Sequence, residues 1–146
     1  MTDGHYDMLA SEALLLSYAA IALSQAPEKH WWRLSRTWTQ TSGGKTLLSW
    51  GGTMFEYLLP AVFLPSFRHS ALETAQRGCV RTQMRAVSEG PFGISEAGYA
   101  RFDEQLNYAY RAFGVRELSL DGDCSDTTRA PYATALALSS EPQKAC

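Results

Sequence analysis

From Tyr6 to Gln25 the chain (YDMLASEALLLSYAAIALSQ) is rich in Leu and Ala and apolar almost all round. That pattern predicts a buried helix rather than a surface one. Asp7, Ser11 and Glu12 cluster near its start, and Pro27 ends it. The short segment Glu28 to Arg36 then carries Trp31 and Trp32; adjacent residues point in different directions on any regular element, so these two belong more naturally to the base of a core than to a sugar platform. Thr53 and Glu56 form a capping box at the start of a helix that Pro60 interrupts. Ser70 and Glu73 form another, opening a helix to about Ser88. Its apolar stripe is Leu72, Ala75, Cys79, Val80, Met84 and Val87, and Arg77, Arg81 and Arg85 lie on a second, solvated face. Gly90, Pro91 and Gly93 break any helix arriving from upstream, which sets Glu96 where the chain restarts, at the rim of a cleft. Phe102 to Tyr110 reads as a further helix, capped by Asp103. Leu118 to Asp126 offers a short strand and a turn at Asp121-Gly122, and Thr127 to Leu138 restarts a helix with Pro131 in its first turn. The fold class that follows is all-α.

The length of 146 residues points to one domain over 1–146, and an apolar content of 45% is enough for an ordinary core. Thirteen basic against fifteen acidic residues leave a net charge of −2. There is no basic field for nucleic acid or an anionic membrane, so a neutral partner is expected. The run from Ala13 to Leu23 falls short of the ~20 residues of a membrane span and lacks the marks of a signal peptide. Cys79, Cys124 and Cys146 are odd in number and far apart, which fits a reducing, cytoplasmic compartment. His5, His30 and His69 make no HExxH pair, and the Asp-x-Asp of 121–123 lacks the glutamate of a calcium loop. No metal and no cofactor is expected. The loop Thr41 to Lys45 lacks the first glycine of a phosphate-binding loop at its proper distance.

The chemistry on offer centres on carboxylates among aromatic rings. Glu96 is followed by Tyr99, Phe102, Tyr108, Tyr110 and Phe113, with Asp103, Asn107 and Arg111 between them. Rings with polar edges suit pyranose stacking; the same residues would also serve as an aromatic core under a Gly-Pro turn. Glu12 either satisfies the start of its helix or, desolvated one turn in, holds a proton at neutral pH and acts as an acid. Glu56 either completes its capping box or, beside Trp50 and the Gly51-Gly52 pair, receives ligand hydroxyls.

Six blocks in order resemble the glucoamylase-like middle domain of cyclic β-1,2-glucan synthases. They are Tyr6-Asp-Met-Leu-Ala-Ser-Glu12, His30-Trp-Trp-Arg-Leu34, Ser49-Trp-Gly-Gly-Thr-Met-Phe-Glu-Tyr-Leu-Leu-Pro60, Gly93-Ile-Ser-Glu96, Leu106 to Val115 and Ala130 to Leu138. The resemblance implies part of an α/α toroid of paired helices, within a larger parent protein anchored to the bacterial inner membrane, with no membrane contact by this segment. It further implies a retaining transglycosylation on β-1,2-glucan, with Glu96 matching the nucleophile and Glu12 the acid. Trp50, Glu56, Tyr99, Asp103, Asn107, Tyr108, Tyr110, Arg111 and Tyr132 would then bind glucan. Carboxylates ~5 Å apart suit direct attack and ~6.5–9.5 Å an inverting water; a proton relay through a sugar hydroxyl or water would also serve. The rival readings are a hydrolytic endo-β-1,2-glucanase and an inactive glucan-binding fragment. Where the family has a glycine- and lysine-containing stretch after Phe-Gly-Val, this chain has Arg116 to Asp126.

Overall fold

The computed structural model describes residues 6–87, 90, 92–121 and 128–145, so the expectations at Ser88, Pro91, Gly122 and Thr127 lie outside the described residues. Its helices are α1 (Leu14–Ala22), α2 (Lys29–Arg33), α3 (Met54–Phe63), α4 (Ala71–Ala86), α5 (Pro131–Leu136) and α6 (Pro142–Ala145). Its strands are β1 (Trp38–Thr41), β2 (Gly44–Leu47), β3 (Glu96–Phe102) and β4 (Tyr108–Ala112). They form two antiparallel two-stranded sheets, β1 with β2 and β3 with β4. The fold is therefore mixed α/β, which overturns the all-α expectation and the helical toroid with it.

Two local causes account for that correction. Trp38-Thr-Gln-Thr41 and Gly44-Lys-Thr-Leu47 pair around the turn at Ser42-Gly43, a run of threonine and aromatic residues that fits a pleated surface. Burial alternates with period two along β4 and from Ala97 to Ala100 in β3, instead of following a helical stripe. Asp103 does cap the segment, but it caps a hairpin turn. Its Oδ1 accepts from Gln105 N at 2.9 Å and Asn107 N at 2.8 Å, and its backbone N donates to Asn107 O at 2.9 Å.

The N-terminal helix is also shorter than its composition promised. Asp7 to Leu9 is held extended alongside Ser35, with Ser35 N donating to Asp7 O at 2.6 Å and Leu9 N donating to Ser35 O at 3.0 Å. The helix begins only at Leu14, which is buried, whereas Leu16 is 75% and Leu23 68% exposed. An element apolar all round thus has solvent, not neighbours, on much of its surface within this chain.

The core is built on α3 and α4. Thr53 Oγ1 accepts from Glu56 N and Glu56 Oε2 accepts from Thr53 N, so the expected capping box closes at the head of α3. Pro60 lies inside that helix, which continues to Phe63. Ser70 caps α4 through Glu73 N, while the Glu73 carboxylate turns to His69 N. Met54, Tyr57 and Leu58 pack with Ala75, Cys79 and Val80, joined by Leu47, Ile94, Phe113, Leu118 and Ala133. A Cβ on Gly78 would stand 2.7 Å from Thr46 Cβ, and glycine there lets β2 lie directly on α4. Arg77 and Arg81 do not form a merely solvated face: both reach Glu141 Oε1, at 3.1 and 2.8 Å.

Candidate functional site

The approach to Glu96 is fixed from both sides by buried polar groups. Gln83, fully buried on α4, donates from Nε2 to Ile94 O at 2.8 Å and accepts at Oε1 from Ile94 N at 2.7 Å, so its amide imitates a paired strand. The head of α3 holds the next residues: Met54 N donates to Ile94 O at 3.0 Å, and Phe55 N donates to Ser95 Oγ at 3.0 Å. Tyr132 on α5 donates to Glu96 O at 2.8 Å and has Ser95 Oγ 3.1 Å away. With its backbone tied to α3, α4 and α5, half-buried Glu96 starts β3 and leaves its carboxylate to the hairpin. There Tyr110 Oη donates to Glu96 Oε2 at 2.5 Å.

Glu12 stands in the turn before α1, not one turn into it, and is half-buried. Its Oε1 accepts from Tyr6 Oη at 3.2 Å and its Oε2 from Ser11 Oγ at 3.3 Å. The Tyr6 ring lies against Trp50, centroids 6.1 Å apart and tilted 32°. Trp50 Nε1 is buried and has no hydrogen-bond acceptor among the described residues. Beneath them, Glu56 is only 3% exposed. Its carboxylate accepts from Ser49 Oγ at 2.9 Å, Gly51 N at 3.0 Å and Thr53 N at 2.9 Å. The Gly51-Gly52 pair is approached by backbone of the chain itself: Val115 N donates to Gly52 O, and a Cβ on Gly114 would collide with Gly51 O.

The titrating groups feel one another across this cluster. The hydrogen bond to Glu96 is the main reason that the Tyr110 hydroxyl is pushed up to about 12, with smaller contributions from burial and from the charges of Glu96, Tyr132 and Glu12. Burial raises Tyr6, helped by Glu12 and then Glu56. Burial also raises Glu56, opposed by the Gly51 and Thr53 N–H groups and the Ser49 hydroxyl, with Glu12 adding a small upward push. Tyr132 is raised by burial and by the Glu96 charge, against Ser95. Tyr6 thus responds to Glu12 and Glu56, and Tyr110 and Tyr132 respond to Glu96.

Other expected site residues lie elsewhere. Asp103 and Asn107 form the hairpin turn, at the far end of the ladder from the Glu96–Ala112 pair. Tyr108 stacks on Phe102 near that tip. Tyr99 and Arg111 project from the opposite face of the hairpin, Tyr99 edge-on to buried Phe113 at 5.5 Å and the Arg111 guanidinium 5.8 Å from the same ring. Sequence reasoning passed over Tyr6, Gln83 and Ser95. Gln83 did carry a signal, because it falls four residues after Cys79 and three after Val80, on the apolar stripe of α4, where an amide must find partners. Among the described residues no group of three His, Cys, Asp or Glu could hold a metal ion, and no helix is long and apolar enough to cross a membrane.

No family model matches the chain. It is 38% identical over 151 aligned positions, 99% of its length, to the cyclic beta-(1,2)-glucan synthase NdvB of Rhizobium meliloti (strain 1021). The chain spans 5% of the length of that relative.

Proposed function

Because this chain belongs to the family of the cyclic β-1,2-glucan synthases, we propose that its Glu96–Glu12 cluster acts on β-1,2-linked glucan by retaining transglycosylation. The observation that supports this reading is the placement of Glu96, whose neighbouring backbone is tied to α3, α4 and α5 and whose carboxylate accepts from Tyr110 Oη at 2.5 Å. Retaining transfer needs a pair of carboxylates, one ionised and one protonated. In the proposed reaction Glu96 attacks the anomeric carbon. The bond to the glycosidic oxygen breaks, its electron pair stays on that oxygen, and Glu12 supplies the proton. A hydroxyl of a second glucosyl unit then attacks the same carbon, displaces Glu96 and returns a proton to Glu12.

Tyr110 holds the Glu96 carboxylate in one orientation through this cycle, a positioning role. Glu56, whose oxygens are engaged by Ser49, Gly51 and Thr53, shapes the floor under Trp50 rather than meeting the reacting carbon. Flanking domains of a larger parent protein complete the glucan path in this reading. The test is to supply linear β-1,2-glucan to the synthase polypeptide carrying this chain and identify the products. Rings or lengthened chains are expected, and Glu96→Gln should abolish them while the chain still folds, with at most a small fall in melting temperature. Shorter reducing chains would mean hydrolysis instead, and undiminished turnover in Glu96→Gln would remove Glu96 from the mechanism.

A further inference from the structure

The two faces of the β3–β4 hairpin have different fates. Ala97 and Tyr99 pack against the core, with Phe113 edge-on to Tyr99. The opposite face carries, from base to tip, Glu96, Gly98 paired with Tyr110, and Phe102 paired with Tyr108. The Tyr110–Glu96 hydrogen bond and the Phe102–Tyr108 stack, centroids 4.8 Å apart, tie both pairs to this one side. Tyr110 is 65%, Tyr108 69% and Phe102 56% exposed. The paired strip is as long as the five residues of β4, roughly 15 Å at ~3.3 Å each, long enough for about three sugar rings. Among its strand-paired positions Glu96 is the one charged residue.

Gly98 leaves the strand backbone open on this face. Glycine inside a strand weakens it, so its presence needs a cause. Its backbone does not supply one, because its φ lies outside the left-handed range. Packing supplies none either: an added Cβ would meet only Ala109 O, at 3.9 Å. The ladder shifts register between Tyr99 and Phe102, just beyond Gly98, which is one setting for glycine in a strand, and the bare backbone also leaves room for close approach from outside the chain, beside Tyr110 and one pleat from Glu96.

We propose that this face is a rail for the glucan chain, an inference that rests on the glucan reading above. Sugar rings adjoining the reacting one lie over Gly98 against Tyr110 and continue onto the Tyr108–Phe102 pair, where ring faces take the apolar sides of pyranoses and tyrosine hydroxyls meet their edges. The occupant is a neutral β-1,2-linked glucan because the rail starts at Glu96 and its paired positions are otherwise uncharged and aromatic.

The experiment titrates the full chain with the β-1,2-linked disaccharide and with linear β-1,2-glucan long enough to cover the hairpin. The long glucan should bind at least about tenfold more tightly. Tyr108→Ala should lower that affinity about tenfold and leave the disaccharide unaffected. Gly98→Val should weaken binding of the long glucan without lowering the melting temperature, since valine suits a strand better than glycine. Equal affinity of wild type and both variants for the long glucan, with disaccharide binding retained, would overturn the rail and leave the glucan reading standing. Absence of binding by either ligand to wild type would overturn both. Concentration-dependent self-association that Tyr108→Ala abolishes, with no dependence on glucan length, would show that the face pairs protein with protein and would also overturn the rail.

Discussion

At the scale of single residues, the account depends on two contacts whose protonation can be followed. Tyr110 keeps its proton above the ordinary tyrosine range because it donates to Glu96. Its folded value of about 12 exceeds the unfolded value of ~10, so this contribution to stability is complete below pH ~10 and is lost as pH rises through about 12. Ultraviolet titration should therefore find a tyrosine ionising near that value, and Glu96→Gln should return it toward ~10; an unchanged profile would mean that the contact does not form. Glu56 also has its folded value raised, here mainly by burial. Its contribution is greatest below ~4.3 and declines as pH rises from there through the raised folded value. Glu56→Gln should flatten that decline relative to wild type. Glu56→Ala, which leaves buried donors of Ser49, Gly51 and Thr53 without an acceptor, should cost at least about 2 kcal/mol in denaturant unfolding. A cost below about 0.5 kcal/mol would show that the buried network is weaker than its geometry implies.

At the scale of elements, what the sequence made legible was the part governed by local chemistry. Thr53 with Glu56 and Ser70 with Glu73 announced α3 and α4, since a side chain three residues from a cap can pair with backbone whatever surrounds it. The two hairpins were not legible to the same degree. In β3–β4 the expected helix over Phe102 to Tyr110 gave way to a hairpin, because cross-strand pairing between distant residues decides what local pattern does not. For 6–13 the composition favoured helix, but hydrogen bonds to Ser35, 26 or more residues away, hold Asp7 to Leu9 extended, and turns follow up to α1. Candidate chemistry divides along the same line. Glu96 and Glu12 stood out as carboxylates beside aromatics, whereas Gln83 and Tyr6 matter through partners distant in the chain. On α4 the packing makes a further prediction. Cys79 is fully buried and burial pushes its thiol well up, so a thiol reagent should modify it only at the rate of unfolding. Rapid native-state labelling of Cys79 would contradict the α3–α4 packing.

At the scale of the whole molecule, the apolar surface is unevenly covered. A groove with lobes of about 240 and 530 Å³ runs between α1, α2 and the start of α4, with Trp31, Trp32, Leu64, Pro65, Phe67 and Leu72 common to both lobes. Phe63 and Phe67 stand exposed beside it. Exposed aromatic rings at an apolar groove favour association, so the chain should self-associate at raised concentration and bind a hydrophobic dye. A monomer in sedimentation that melts sharply and binds no dye would contradict that expectation. The carboxylate cluster is distinct from this groove, sharing none of the six residues common to its two lobes.

The most direct test of the central claim is the mass of the peptide containing Glu96 after turnover of linear β-1,2-glucan by the synthase polypeptide is quenched in acid. The account predicts a glycosyl adduct on Glu96 that accumulates during turnover and disappears in Glu96→Gln. Turnover that continues with no adduct on Glu96, or with the adduct on another residue, would contradict it.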